Sequence, residues 1–207
     1  FWNFNGNGNY IVLNRFVNGA GGSLSRQIAL NGTINSTNSA ASGARGGSIW
    51  FYNAGGILVG DTGAINVGSL VLTTNDIVTT GGLLDPTTGA IRFRGASGST
   101  AGVTVNGAIN ANEVLNPGSS YVALVAPRVN QNGFVDVYGS AAYVAAEQAD
   151  IRINAGLFDI NVLTGAAGGQ AITHTGITTG PEEQAAGSAQ RIYMVAIPKN
   201  DAVTMLV

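Results

Sequence analysis

Short runs in which apolar residues alternate with small or polar residues recur along the whole chain. Residues 63–67, 102–106 and 133–138 are typical, with Val or Ile at every second position. This period of two indicates a β-strand that buries one of its faces. Gly and Asn stand between the runs, where they favour tight turns. The pattern therefore predicts an all-β protein made of many short strands.

One short unit, a glycine followed by any residue and then an aliphatic residue, recurs along the chain. Its glycines are Gly32, Gly63, Gly89, Gly107 and Gly133. An imperfect repeat of about 20–30 residues is typical of a solenoid, here a parallel β-helix with one unit per coil. At roughly 20–26 residues per coil, the chain length predicts about 8–10 coils stacked about 4.8 Å apart, with Asn over Asn in polar ladders at the corners. The residues expected to point inward are Ile34, Ile49, Ile65, Ile91, Ile109, Val122 and Val135.

Several segments depart from this rhythm. Residues 79–88 predict a turn or an insertion outside the coils, because they carry Gly-Gly and Asp-Pro. The Ala-rich residues 140–150 fit either a helix or a strand, and we favour the strand. Residues 163–188 are rich in Gly, Thr and Ala and predict loops with at most one hairpin. Two further strands are expected at 191–198 and 202–207, the last of them cut within a continuing solenoid.

The consecutive aromatic residues Trp50, Phe51 and Tyr52 must alternate between the two faces of their strand. At least one of them should therefore face outward or lie beneath a covering loop. Packing in the core is the interpretation we favour for the group. A patch that contacts a glycan or a protein is the alternative.

Composition excludes several classes of protein. Hydrophobic residues make up 45% of the chain and charged residues 10%, unlike a disordered polar tail. No apolar run approaches about 18 residues, so no transmembrane helix is predicted. The absence of cysteine excludes disulfides, thiolate zinc sites and a cysteine nucleophile. The net charge is −2 and the arginines are scattered, so nucleic acid is not expected as a partner.

Residues with catalytic chemistry are few and dispersed. Glu182 and Glu183 are the only adjacent acids, and we interpret them as part of a solvated loop. His174 is the only histidine and is expected to be exposed or on an edge strand. Arg92 and Arg94 should share a solvent-facing side of one strand, where an anionic sugar or a partner carboxylate is the alternative to plain solvation. The sequence therefore predicts a protein that is not an enzyme and holds no metal or cofactor.

Residues 48–77 read SIWFYNAGGILVGDTGAINVGSLVLTTNDI. This stretch resembles the hallmark motif of the filamentous-haemagglutinin-like secretion domain, found in the large surface adhesins of two-partner secretion. The letters NAGGI stand where the family has N-P-N-G-I, with Ala54 and Gly55 replacing Pro and the second Asn, and INVGSL resembles its N-V-G-G-L stretch. Further stretches resemble the family in the same order, at residues 12–17, 30–32, 106–109, 121–127 and 193–199.

The resemblance implies one right-handed, single-stranded parallel β-helix over residues 1–207, as a segment of a longer exoprotein. The secretion motif would lie in 1–80 and the following coils in 81–207. The family is secreted to the cell surface of Gram-negative bacteria through an outer-membrane barrel transporter with POTRA domains, and its usual role is adhesion. The residues implied in transporter recognition are Asn53, Gly55, Gly56, Ile57, Asn66, Val67, Gly68 and Leu70. Among them, Gly68 marks a bend, where access to positive φ would require glycine.

Three functions remain open at this point. The first is a non-enzymatic adhesin segment that its transporter recognises and that nucleates folding of the rod, with a surface glycan or protein as a further partner. The second is a β-helix carbohydrate-active enzyme or a tailspike-like protein, which would need clustered acids on one face. The third is the subunit of an extracellular filament that associates end to end.

Overall fold

The computed structural model of the chain describes all residues except 43, 114, 168, 181–189, 200–202 and 207. The described part contains 22 strands and two single-turn 3-10 helices. The strands are β1 (Trp2–Gly6), β2 (Ile11–Arg15), β3 (Ile28–Leu30), β4 (Thr33–Asn38), β5 (Ala44–Arg45), β6 (Ser48–Tyr52), β7 (Ile57–Val59), β8 (Ala64–Val67), β9 (Ser69–Thr73), β10 (Asp76–Ile77), β11 (Ile91–Arg94), β12 (Gly102–Val105), β13 (Ala108–Ala111), β14 (Tyr121–Ala126), β15 (Arg128–Gln131), β16 (Phe134–Val137), β17 (Ser140–Asn154), β18 (Leu157–Gly165), β19 (Gly169–His174), β20 (Ile177–Thr179), β21 (Arg191–Ala196) and β22 (Val203–Leu206). The helices are η1 (Ser39–Ala41) and η2 (Pro117–Ser119).

Most of these strands belong to three sheets with parallel pairing, which confirms the prediction of an all-β chain. The first sheet has the order β1-β4-β8-β13-β16-β20, and the second contains β2-β6-β9-β14-β17-β21 in that order. The third has the order β3-β7-β12-β15-β19-β22. The chain therefore visits the first, second and third sheets in turn, and we call each such passage of three strands a coil.

The described residues form six coils rather than the predicted 8–10. Equivalent positions in successive coils are 31 or 32 residues apart near the N-terminus and 26 apart at the shortest step. Two steps are longer, at 44 and 43 residues. The coil count was wrong because the first coils are longer than the repeat suggested, and because insertions in the third and fifth coils use further chain.

The insertions build a separate antiparallel sheet, which we call the covering sheet. It consists of β10, β11, the second half of β17 and β18. The predicted insertion at 79–88 is confirmed as the connection between β10 and β11, and the strand favoured at 140–150 is confirmed within β17. The expectation of loops over 163–188 was wrong for its described part, which contains the end of β18 together with β19 and β20.

The covering sheet packs against the outer face of the second sheet. Their interface is an apolar cluster that includes Trp50 and Val71 from the coils and Ile91 and Phe93 from the covering sheet. Trp50 is 1% exposed, which confirms that one of the three consecutive aromatics lies outward beneath a cover. Ile91 was wrongly predicted to point into the coils, because a strand of the covering sheet alternates in the same way as a coil strand.

The interior of the coils is a second apolar cluster, in which aliphatic side chains of one coil lie over those of the next. In the first sheet, Ile34 pairs with Ile65, Ile65 with Ile109 and Ile109 with Val135. Ile49 and Val122 belong to the same cluster. Six of the seven predicted inward positions are therefore confirmed.

Glycines stack at the corner where the third sheet leads into the first. A Cβ atom added to Gly107 would overlap the carbonyl oxygen of Gly63, one added to Gly133 that of Gly107, and one added to Gly176 that of Gly133. The same oxygen of Gly63 accepts the Ala108 amide at 2.9 Å, so the coils cannot separate to make room. The recurring sequence unit thus marks this corner because only glycine fits beneath the preceding coil. Two glycines of the unit differ: Gly89 lies in the turn before β11 at a φ of +70°, and a Cβ added to Gly32 would meet no atom within 4 Å.

The corner stack predicts unequal effects of one substitution. Gly107→Ala should lower the free energy of unfolding by about 1–3 kcal/mol, because its methyl group overpacks against the backbone of the preceding coil. Gly32→Ala is the matched control, since a Cβ at Gly32 meets no atom within 4 Å. Urea unfolding of both variants measures the difference. Equal losses of stability in the two would contradict the steric origin of the glycine repeat.

Candidate functional site

Asn53 lies at the corner where β6 of the second coil leads into β7, and its side chain is completely buried. Its Nδ2 donates to the carbonyl oxygens of Arg26 at 2.9 Å and Gly56 at 2.7 Å. Its backbone amide donates to Thr73 O at 3.1 Å. Asn53 therefore ties together the turns of three successive coils.

The next three recognition residues complete the same turn. A Cβ on Gly55 would collide with the backbone of Arg26, and Gly56 has a φ of +113°, which L side chains rarely adopt. The Ile57 side chain is buried in the coil interior. Both glycines are thus required by the structure of the turn itself.

The residues from Asn66 to Leu70 form a different corner, between the first and second sheets. Val67 and Leu70 are buried in the coil interior. Gly68 is buried as well, but it does not have positive φ, so the expected reason for glycine at this bend was wrong. A Cβ on Gly68 would lie 2.7 Å from both Glu113 Oε2 and the carbonyl oxygen of Gly47. Glycine is required here because three coils meet without space between them.

Gly68→Val should therefore destabilise the protein by about 1–3 kcal/mol or more through overpacking. Both the Glu113 carboxylate and the Gly47 backbone must move to admit the side chain. The urea midpoint of the purified chain measures this loss, and Ala64→Val on the outer face of β8 is the control. A midpoint equal to that of the wild type would show that this corner can relax.

Asn66 belongs to a ladder of amides along the outer face of the first sheet. Its Nδ2 donates to Asn35 Oδ1 at 3.1 Å, and Asn35 Nδ2 donates to Asn3 Oδ1 at 3.1 Å. Asn110 Nδ2 donates in turn to Asn66 Oδ1 at 2.9 Å. Asp136 occupies the same position in the next coil, where burial raises the pKa of its carboxyl. The predicted Asn ladder is confirmed. Its members stack from strand to strand in the first sheet as well as at the corners.

The structure does not bring the eight recognition residues into one surface. Residues 53–57 and 66–70 occupy different corners of the coils, and six of the eight residues are buried. Only Gly55 and Asn66 are partly accessible in the folded coils. A partner that binds the folded surface therefore contacts little of this motif.

Sequence reasoning missed Glu113, which is 7% exposed at the same corner as Gly68. Its Oε2 accepts the Gly47 amide at 2.9 Å, and its own amide donates to Ser120 Oγ at 2.7 Å. Burial is the main cause that raises the pKa of the nearby Tyr10 hydroxyl, and the negative charge of Glu113 adds to that rise. The one signal for this site in the sequence is the paired glycine at 46–47, which leaves room for the carboxylate.

The two arginines singled out on β11 already have carboxylate partners. Arg92 lies 3.4 Å from Asp85, and Arg94 lies 2.6 Å from Asp150. The alternative in which this face receives an anionic sugar thus loses its main support, because both positive charges are balanced within the chain. Glu182 and Glu183 lie outside the described residues.

His174 lies half-buried on the inner side of β19 and pairs with Gln131 of β15. Its strand lies between β15 and β22, so the expectation of an exposed or edge-strand histidine was wrong. Its Nε2 is 2.8 Å from Thr178 Oγ1, which is 2.6 Å from the Tyr143 hydroxyl. Burial raises the pKa of Tyr143 to about 12, although the hydrogen bond with Thr178 opposes the rise. These side chains place polar groups on the inner side of the last two coils.

The Tyr143 environment predicts a specific loss of stability in alkali. The folded protein keeps the Tyr143 proton up to a pH of about 12, whereas an unfolded tyrosine loses it near pH 10. This stabilisation is complete below pH 10 and is lost as the pH rises to 12. Urea unfolding should show the wild type losing up to roughly 2–3 kcal/mol more than Tyr143→Phe across this interval. Parallel pH profiles for the two proteins would contradict the assignment.

The described residues contain no cluster of three or more His, Asp or Glu side chains that could hold a metal ion. Within the same residues, no helix is long and apolar enough to cross a membrane. In comparisons with known proteins, the chain matches no family model and no curated protein.

Proposed function

We propose that the chain is a secreted, non-enzymatic segment of a two-partner secretion adhesin, and that its three sheets wind as one right-handed parallel β-helix. In this proposal an outer-membrane barrel transporter recognises the chain before it folds. The segment then folds outside the cell and nucleates the surface-exposed rod. No cofactor takes part.

The observation that carries the proposal is the burial of the motif. Six of its eight residues are buried in the folded coils, where a transporter cannot read them. In an extended chain the same residues lie within 18 positions of one another and are all accessible. Burial upon folding therefore fits a signal that is read during export and hidden afterwards.

The stacking of the coils supports the second half of the proposal. Each strand that joins a sheet satisfies backbone groups of the preceding coil and covers its aliphatic column. Such growth releases free energy coil by coil, which can draw the chain outward without ATP. The charged residues of the chain are few, so few charges must cross the transporter.

Within the cleft that contains Glu113, the arrangement of acids favours this function over a polysaccharide-active enzyme. Glu113 is the single carboxylate among the described residues that line the cleft where it lies. Glycoside hydrolysis generally uses two carboxylates about 5–10 Å apart. The described lining of the cleft thus lacks the second carboxylate that glycoside hydrolysis requires.

The test is to measure secretion and stability of the same variants. Asn53→Ala removes two hydrogen bonds to backbone carbonyls, one of them buried, and should cost about 1–3 kcal/mol of stability. Gly107→Ala is the matched control, since it should lose similar stability at a corner outside the motif. With the parent exoprotein and the transporter encoded beside it, we expect Asn53→Ala to lower the secreted amount more than Gly107→Ala does.

Equal secretion of the two variants, at equal stability, would reduce Asn53 to a structural residue and remove the recognition role. The absence of a barrel transporter gene beside the gene of this protein would contradict the proposal more broadly.

A further inference from the structure

A cleft of about 310 Å³ lies between the coils and the covering sheet. One wall is the corner that carries Tyr10, Gly47 and Glu113. The opposite wall is the covering insertion, with Leu84 before β11 and Ile153 near the end of β17. This volume lies at the lower end of the range for small-molecule sites and suits a small ligand or one side chain of a partner.

Glu113 places a buried negative charge in the wall of this cleft. Its described hydrogen bonds come from the uncharged amides of Gly47 and Leu115, the second of them long at 3.4 Å. The ion pairs of the described part of the chain all use other carboxylates. Buried charges in proteins are generally paired, because a carboxylate loses much of its solvation on burial. Among the described residues, this carboxylate thus has no side-chain counter-charge.

The remaining lining determines which cation fits. Tyr10, Trp50 and Tyr121 bring apolar ring atoms to the cleft, which can contact the apolar stem of a cation. Leu84 and Ile11, which are 43% and 38% exposed, form an apolar rim. Hydrated metal ions prefer several oxygen ligands, whereas this cleft supplies one carboxylate. The lining therefore favours a nitrogen cation carried on an apolar stem.

We propose that this cleft binds a guanidinium or primary ammonium group, with Glu113 as its counter-ion and the apolar rim against its stem. Such a group occurs in the arginine or lysine side chain of a partner polypeptide and in small free amines. A neutral sugar is less well suited, because Trp50 and Tyr121 are at most 8% exposed and offer no open ring face for stacking.

The experiment follows the indole N–H signal of Trp50 by NMR during titration. Trp50 Nε1 donates to the Tyr121 hydroxyl at 3.1 Å beside the cleft, and Trp2, the second tryptophan of the chain, is a reporter at the N-terminal coil. The probes are N-acetyl-arginine amide, ethylguanidinium and n-butylammonium. We expect saturable shifts of the Trp50 signal and none of the Trp2 signal. A stronger response to the blocked arginine than to ethylguanidinium points to a polypeptide source, and equal responses point to a free small cation.

Two controls isolate the charge. N-acetyl-citrulline amide has nearly the shape of the arginine probe without its charge, and it needs no variant, so it tests the proposal even if substitutions disturb folding. Glu113→Gln keeps an oxygen that can accept the Gly47 amide and should weaken binding about tenfold or more. Asp61→Asn changes the net charge equally at an exposed position and should leave binding unchanged.

Failure of the wild type to bind any cationic probe saturably would overturn the proposal. Equal binding of the citrulline and arginine probes would also overturn it and favour a neutral ligand such as a sugar. Unchanged affinity in folded Glu113→Gln would show that the carboxylate serves only the Gly47 amide. None of these outcomes bears on secretion.

Discussion

The close approach of backbone to backbone between coils is the constraint on which the rest of the structure depends. At the glycine corner, the carbonyl oxygen of one coil occupies the space that a side chain would need in the next. That contact fixes the register of every coil relative to its neighbour. Aligned columns of Ile and Val in the interior and of Asn on the first sheet follow from the register. The core is thus a consequence of the corners as much as of hydrophobicity.

Much of this could be predicted from the sequence, because the corner requirement is local. At Gly63, Gly107 and Gly133, a glycine followed two positions later by an aliphatic residue marks a place where a coil passes beneath the last one. Gly89 shows the limit of that signal. It carries the same letters in a turn of the covering sheet, where positive φ rather than a close approach requires glycine. The coil count failed for a related reason, since alternation does not reveal to which sheet a strand belongs.

The candidate sites were less predictable, because their properties arise from residues far apart in the chain. Glu113 becomes a buried anion only when Gly47 and Gly68 from two other coils close around it. His174 faces inward because it shares the face of β19 with Ile172, which is buried in the coil interior. The motif near Asn53 was recognised by its letters, whereas its burial appears only in the folded coils. The sequence pattern thus predicted where the chain turns. The surroundings of each polar group could be determined only from the folded structure.

The covering sheet also limits how such a chain can evolve. Repetitive rods commonly lengthen or shorten by duplication or deletion of whole units, since each unit contacts only its neighbours. Here β11, from the insertion of the third coil, pairs with β17 of the fifth coil, so one coil must lie between them. Gain or loss of a unit at this place would separate the two strands and expose Phe93 and Trp50. The region from β9 to β17 should therefore be inherited as a block, while changes of length accumulate outside it.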